Sequence, residues 1–194
     1  MHIEPKITKK IAMPIPRGIP PIPTIINVIP NMKRKRLDKI VEALKISKHN
    51  IKWVHFGDGD QMSEIKKSAE SLPSNIQFDL KGWVSNDQIL EYYRSNSVDL
   101  FINISLEEGI PVSIMEAISF GIPILAFNVY GLKEIVNDVN GILLPADSNI
   151  EEISNGINRA LKSEFSSEKI KRNWSQNYFA LKNYSSFIEK FLIK

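Results

Sequence analysis

Residues 101–127, FINISLEEGIPVSIMEAISFGIPILAF, decide the fold. The apolar run Leu100 to Ile104 has the length and β-branched content of a strand. A polar turn follows, Ser105-Leu106-Glu107-Glu108-Gly109. A helical pattern comes next, with Pro111 near its first turn, where a missing N–H costs nothing. Ile110, Ile114 and Ile118 fall at i, i+4, i+8 and form its core face. Gly121 and Pro123 end the helix, and Ile124 to Phe127 is the next strand. A strand–turn–helix–strand unit of this kind is the repeating step of a parallel α/β sheet.

Such sheets bind ligands at the carboxyl ends of their strands, and the turn Ser105 to Gly109 lies at such an end. The helix start beside it offers free N–H groups and a positive dipole end, which suit an anion such as a diphosphate. Glu108 lies in the turn. Glu116 shares a helix face with Val112 and Phe120, roughly opposite Ile114 and Ile118, so the core does not claim it. Neither carboxylate attracts a phosphate, but both can accept hydrogen bonds from sugar hydroxyls. A diphosphate on the helix end, flanked by hydroxylated rings, describes a nucleotide-sugar. The plain alternative is a solvated acidic loop followed by one exposed helical glutamate.

The segment Glu108-Gly109-Ile110-Pro111-Val112-Ser113-Ile114-Met115-Glu116-Ala117, with Gly121-Ile122-Pro123 after it, resembles the Glu–seven residues–Glu motif of group 1 (family 4) retaining glycosyltransferases. The resemblance extends from about residue 24 to residue 190. It implies the C-terminal, donor-binding half of a GT-B fold, a doubly wound parallel six-stranded Rossmann-like sheet. It also implies that Glu108 meets the donor sugar as the catalytic carboxylate and that Glu116 meets the nucleotide ribose. Gly109, Ile110, Pro111 and Val112 line the donor between them.

The composition bounds the rest. The 194 residues suit one domain with a tail, and 43% apolar residues suffice for a core. There is no cysteine, and the three histidines (His2, His49, His55) are scattered, so neither disulfides nor a metal cluster are expected. Residues 1–50 carry eleven Lys/Arg against three acids, a bias that fits a phosphate-bearing ligand or an anionic membrane surface. Basic residues do not interleave with aromatics, so nucleic acid is not expected as a partner. No apolar run approaches membrane-spanning length, and the prolines after Lys9 and Lys10 argue against a signal peptide. A cytoplasmic protein follows, with peripheral contact at the inner membrane face as an alternative.

Residues 1–23, with Pro14, Pro16, Pro20, Pro21 and Pro23, read as a linker or arm, leaving 24–194 as the domain. Thr24 to Ile29 is the first strand, and Leu37 to Ser47 is an amphipathic helix. The basic loop between them is a reasonable phosphate site. The resemblance makes Lys35 the donor-diphosphate residue, with Arg34 or Arg36 as shifted alternatives. The family carries Arg or a polar stand-in five residues earlier; here that position is Pro30, leaving Arg34 or Lys33 to make the contact.

Ile51 to Phe56 is a strand ending in Gly57-Asp58-Gly59-Asp60, a tight turn into the helix Gln61 to Ser71. Met62 stands where a dinucleotide fingerprint needs glycine. Close backbone approach of Gly57 to a ligand is a secondary reading. Ile76 to Leu80 is a strand, and Ser85 caps a helix reaching about Ser95. The resemblance puts the intervening loop on the nucleotide base, with Trp83 and Val84 as contacts; packing or an interface is an equal reading of Trp83. Tyr130 stands where relatives often carry glycine. Leu132 to Val136 is a short helix, Gly141 to Leu144 the last strand and Ile150 to Lys162 an amphipathic helix. Residues 164–194 end in a helical stretch whose aromatics are exposed unless a second domain covers them.

Three functions fit these residues. The first is a nucleoside-diphosphate-sugar-binding half of a retaining glycosyltransferase, with no cofactor, working with a separate N-terminal acceptor half. The second is a non-catalytic nucleotide-sugar-binding module or an inactive remnant. The third is another GT-B enzyme such as an epimerase, which the Glu–seven–Glu spacing disfavours.

Overall fold

The computed structural model describes residues 21–29, 35–106, 111–129 and 131–178. Within them lie β1 (Thr24–Val28), α1 (Leu37–Lys45), β2 (Ile51–Phe56), α2 (Met62–Ala69), β3 (Ile76–Leu80), α3 (Asn86–Ser95) and β4 (Leu100–Asn103). The chain continues through α4 (Val112–Ser119), β5 (Ile124–Phe127), α5 (Leu132–Ile135), β6 (Gly141–Leu144), α6 (Ile150–Lys162) and α7 (Ser167–Asn177). All six strands pair in parallel, in the order β3-β2-β1-β4-β5-β6. This is the doubly wound six-stranded sheet expected from the sequence, and its order reverses between β1 and β4.

Right-handed crossovers running outward from β1 and back from β4 put α1 and α2 on one face and α3 and α4 on the other. α1 packs against α2 and α6, and α4 packs against α7. Tyr93 of α3 meets Phe120 at the end of α4, ring centroids 5.4 Å apart. With both faces covered, central strands must be apolar on both sides. Every residue of β4 and β5 is buried accordingly. On the edge strand β3 only Ile76 is buried, and Asp79 pairs with Lys81 at 2.6 Å. Charge on an edge discourages pairing with another chain.

Strands β2, β3, β5 and β6 and helix α6 have the bounds that the sequence pattern predicts. β4 stops one residue earlier than its apolar run, because Asn103 Oδ1 accepts the Ser105 N–H at 3.0 Å and turns the chain. α2 is shorter than expected at both ends and lacks a side-chain cap at its start. α4 ends as expected: Gly121 takes φ +77°, and a Cβ there would lie 2.2 Å from Ser167 Oγ. The expected exposure of the C-terminal aromatics does not hold for Phe165, Trp174 and Tyr178. They are half-buried against this domain's own core, and the Tyr178 hydroxyl donates to the Glu134 carbonyl. The expected linker lies outside the described residues except for 21–23, which form neither helix nor strand. No described helix is long and apolar enough to cross a membrane.

A polar network is buried between β1 and β2, where Asn27 and His55 are register partners. Trp53 Nε1 donates to Asn27 Oδ1 at 2.8 Å. An indole can only donate, so this contact fixes which way the amide points. Asn27 Nδ2 then faces His55 Nδ1 at 2.9 Å, and the imidazole must accept there, with its proton on Nε2. Asn27, Trp53 and His55 are all fully buried.

Burial lowers the His55 pKa from 6.5 to about 4, against a smaller opposing pull from Asp58. Protonation would also set a second donor against Asn27 Nδ2. Between pH 6.5 and about 4 the unfolded chain therefore binds the extra proton and the folded one does not, so stability falls as pH falls through that window. Urea unfolding at pH 7 and pH 5 should differ by about 2 kcal/mol more in the wild-type protein than in His55→Gln. Equal differences in the two proteins would show that His55 stays neutral in neither state or in both.

Candidate functional site

The reversal of strand order leaves a crevice at the carboxyl ends of β1 and β4, from which the chain departs to opposite faces of the sheet. Both departures lead to helix N-termini, those of α1 and α4. Residues 30–34 and 107–110 lie outside the described residues, and with them Pro30, Lys33, Arg34, Glu108, Gly109 and Ile110. Tyr130 lies outside as well. The other sequence-predicted site residues stand as follows.

Lys35 sits in the turn leading into α1 and is 9% exposed. Arg36, the N-cap of α1, has φ 55° and ψ 35°, the left-handed region that an L side chain enters at a cost of roughly 1–2 kcal/mol. It is the one non-glycine residue with positive φ among those described. Strain of this kind gathers where a ligand site over-determines the backbone.

Across the crevice, Pro111 caps α4 in an extended conformation with no side-chain cap hydrogen bond. Val112 follows, 61% exposed, and the first turn carries no acidic residue. The N–H groups and dipole of that end are thus left for an anion. Ile114 and Ile118 are fully buried, whereas Glu116 is half-buried, on the separate faces that the i, i+4, i+8 spacing predicts. Because Cα–Cβ bonds tilt toward a helix's N-terminus, Glu116 leans toward the crevice. Its Oε1 accepts a hydrogen bond from Asn86 Nδ2 at 2.9 Å. Asn86 opens α3, which a capping box anchors: Ser85 and Gln88 bond each other's backbone N–H.

Gly57, Trp83 and Val84 line one cavity of about 210 Å³, together with Val28, Ile29, Phe56, Asp58 and Ile89. Its floor is the carboxyl edge of β1 and β2, and α3 forms a wall. The volume is below the roughly 300–1,000 Å³ of pockets that enclose a whole ligand, and suits one ring system. Trp83 is 77% exposed, so it is a rim residue and not core packing. Gly57 packs tightly. A Cβ there would lie 1.9 Å from the Ile29 carbonyl oxygen, and its φ is +150°. The close approach, a secondary reading of the sequence, is real, but it is made to the chain's own backbone.

The sequence reading missed Asn86, Val28, Ile29, Phe56, Asp58 and Ile89. The apolar members looked like ordinary core. Asn86 had one signal: it follows the Ser85 cap, and therefore stands at the same edge of the sheet as the glutamates.

A parallel α/β domain with an open crevice at its switch point, flanked by two helix starts and a ring-sized cavity, is a Rossmann-like ligand-binding domain. The sequence matches the model of the family described as "Glycosyl transferases group 1" over residues 17–178. The chain belongs to that family, and its fold is that of the C-terminal half of GT-B glycosyltransferases. An uncharacterized glycosyltransferase from Haemophilus influenzae is 28% identical over 151 residues, which are 69% of this chain and 41% of that protein. The lipopolysaccharide outer core galactosyltransferase WaaB superposes with a TM-score of 0.76 at 21% identity, over 94% of this chain and 53% of its own. The Anabaena protein HepE, solved with UDP-glucose, superposes with a TM-score of 0.70 at 19% identity, over 89% of this chain and 49% of its own. The chain thus spans about half the length of these relatives or less.

Gly57→Ala should destabilise the domain by about 2 kcal/mol or more, since a backbone carbonyl and not a flexible side chain must move. Urea unfolding measures the loss. A cost below about 0.5 kcal/mol would mean that the loop after β2 shifts freely and does not define the cavity wall.

Proposed function

We infer that this chain binds a nucleoside-diphosphate sugar and forms the donor half of a retaining glycosyltransferase. The observation that carries the reading is the cavity: Gly57, after β2, and the adjacent pair Trp83 and Val84, after β3, line one ring-sized hollow beside the switch point. On this reading the base occupies that hollow. The ribose lies against Glu116, and the diphosphate lies between Lys35 and the start of α4. The sugar lies toward Glu108. Binding of UDP-glucose by the structurally similar HepE supports a uridine donor.

The chemistry follows from where charge grows. As the glycosidic bond to the diphosphate breaks, the sugar becomes oxocarbenium-like and the leaving diphosphate gains negative charge. Lys35 and the α4 dipole stabilise that charge electrostatically, in a crevice where solvent competes less. Glu108 orients the sugar through its hydroxyls, and Glu116 holds the ribose; both are positioning roles. The acceptor is held by a separate N-terminal half, for which the greater length of the relatives leaves room.

Thermal unfolding with UDP, GDP, ADP and their common sugar conjugates tests the donor site. A ligand at a hundred times its dissociation constant adds roughly 2.7 kcal/mol, several degrees for a domain of this size. One base, UDP first, should raise the Tm, and Glu116→Ala should cut the rise by half or more. No rise with any nucleotide would overturn donor binding by this chain.

A further inference from the structure

We propose that Asn86 is the positioning residue for the ribose carboxylate: it locks Glu116 so that the two side chains together read the vicinal hydroxyls of a ribonucleotide. The proposal rests on the donor-site reading above, within which it assigns a residue and a selectivity.

The geometry comes first. Asn86 Nδ2 donates to Glu116 Oε1 at 2.9 Å, across 30 residues of sequence and between two helices on the same face of the sheet. Both ends are anchored. Glu116 lies mid-helix, between buried Ile114 and the buried pair Ala117 and Ile118. Asn86 is the first residue of a helix whose capping box satisfies the N–H groups of Ser85 and Gln88. A half-exposed glutamate on its own samples several rotamers, and ordering it on binding costs free energy. Here the amide has already selected one.

The stereochemistry follows. With Oε1 engaged, Glu116 Oε2 makes no hydrogen bond among the described residues, and neither does Asn86 Oδ1. The Asn86 NH₂ engages Oε1, so the acceptors left to the pair are Glu116 Oε2 and Asn86 Oδ1, on adjoining side chains. Two neighbouring acceptors complement the two O–H donors of a cis-diol. A 2′-deoxyribose has only one of those donors and leaves an acceptor unmatched. Electrostatics point the same way: the carboxylate lies by the positive end of α3, and hydrogen bonds to a carboxylate are stronger than those to a neutral acceptor.

Position also matters. Asn86 follows the loop that carries Trp83 and Val84, which line the base cavity. One short segment, 83–86, therefore touches the ring-sized hollow and orients the ribose group beside it. The link sets the distance between base and ribose contacts in the absence of ligand.

Binding of UDP, ADP and GDP, each against its 2′-deoxy counterpart, tests this by titration calorimetry on the whole chain. The variants are Asn86→Ala, Asn86→Asp and Glu116→Gln. Asp is favourable in the first turn of a helix, so Asn86→Asp should keep or raise the Tm, yet it cannot donate to Glu116 and repels it. The wild-type protein should prefer the ribonucleotide of its base by roughly tenfold, as expected for hydrogen bonds to a charged group. Both Asn86 variants should bring that ratio near one while the Tm of Asn86→Asp holds. A ratio lost in Glu116→Gln but kept in both Asn86 variants would overturn the lock and leave the ribose role of Glu116 standing. A wild-type ratio near one, or no binding at all, would overturn the ribose reading and the lock with it. A ratio lost only together with Tm would reduce Asn86 to a helix-capping role and overturn the proposal.

Discussion

The cavity depends on a backbone contact that admits no side chain. β1, β2 and β3 stay paired beyond their last sheet residues. Ile29 N donates to Phe56 O at 3.1 Å, Lys81 N to His55 O at 2.9 Å and Gly57 N to Gly82 O at 2.8 Å. These bonds carry the ladder one step past each strand and draw three strand-end loops together. Gly57 lies at their centre, where the space a Cβ would need is taken by the Ile29 carbonyl. Any larger residue would push the first two loops apart and open the hollow into a groove. The loops are therefore set by hydrogen-bonded backbone, which gives a rim of fixed shape above the buried strands β1 and β2.

The second half of the site depends on the change of direction between β1 and β4. Two helices start there on opposite faces, so two sets of free N–H groups converge on one crevice. The chain adds a buried lysine and a left-handed arginine at one of them and places no acid in the first turn of the other. The left-handed Arg36, next to the buried Lys35, adds backbone strain at the start of α1, and strain of this kind gathers at ligand sites. The Trp53–Asn27–His55 network lies beneath, and its satisfied hydrogen bonds hold β1 and β2 in register below the loops.

Much of this was legible in the sequence, for identifiable reasons. Strands covered on both faces must be apolar throughout, so ILAF and GILL declare their own ends. Helix α6 has Asn149 and Glu152 as a capping box at its start, which fixes a boundary locally. The chemistry that the sequence suggests lies in short-range spacing, Glu108 to Glu116 above all, and Glu108 lies outside the described residues. What escaped was long-range. Nothing near Asn27 signals Trp53 26 residues away, and nothing near Glu116 signals Asn86. The role of Gly57 escaped because a lone Gly-x-Gly fits any tight turn, and only the fold brings Ile29 against it. Trp83 was ambiguous because an aromatic after a strand packs as often as it binds; its exposure at a cavity rim excludes core packing.

The proposed contacts divide by when they act, and the division follows from charge alone. The ribose keeps its hydroxyls unchanged as the donor reacts. Glu116 and Asn86 therefore hold ground state and transition state alike, and such uniform binding sets affinity and selectivity, not the rate of the chemical step. The diphosphate does change, gaining charge as the sugar departs. Only groups whose attraction grows with that charge, Lys35 and the α4 N-terminus, lower the barrier. On the proposed reading selectivity lies on α3 and mid-α4, and rate enhancement at two helix starts across the switch point. The two functions share one helix, α4, which carries Val112 at its first turn and Glu116 four residues on. A rigid helix of two turns sets the spacing between the proposed diphosphate and ribose contacts, which must match the spacing that the donor's own covalent bonds impose.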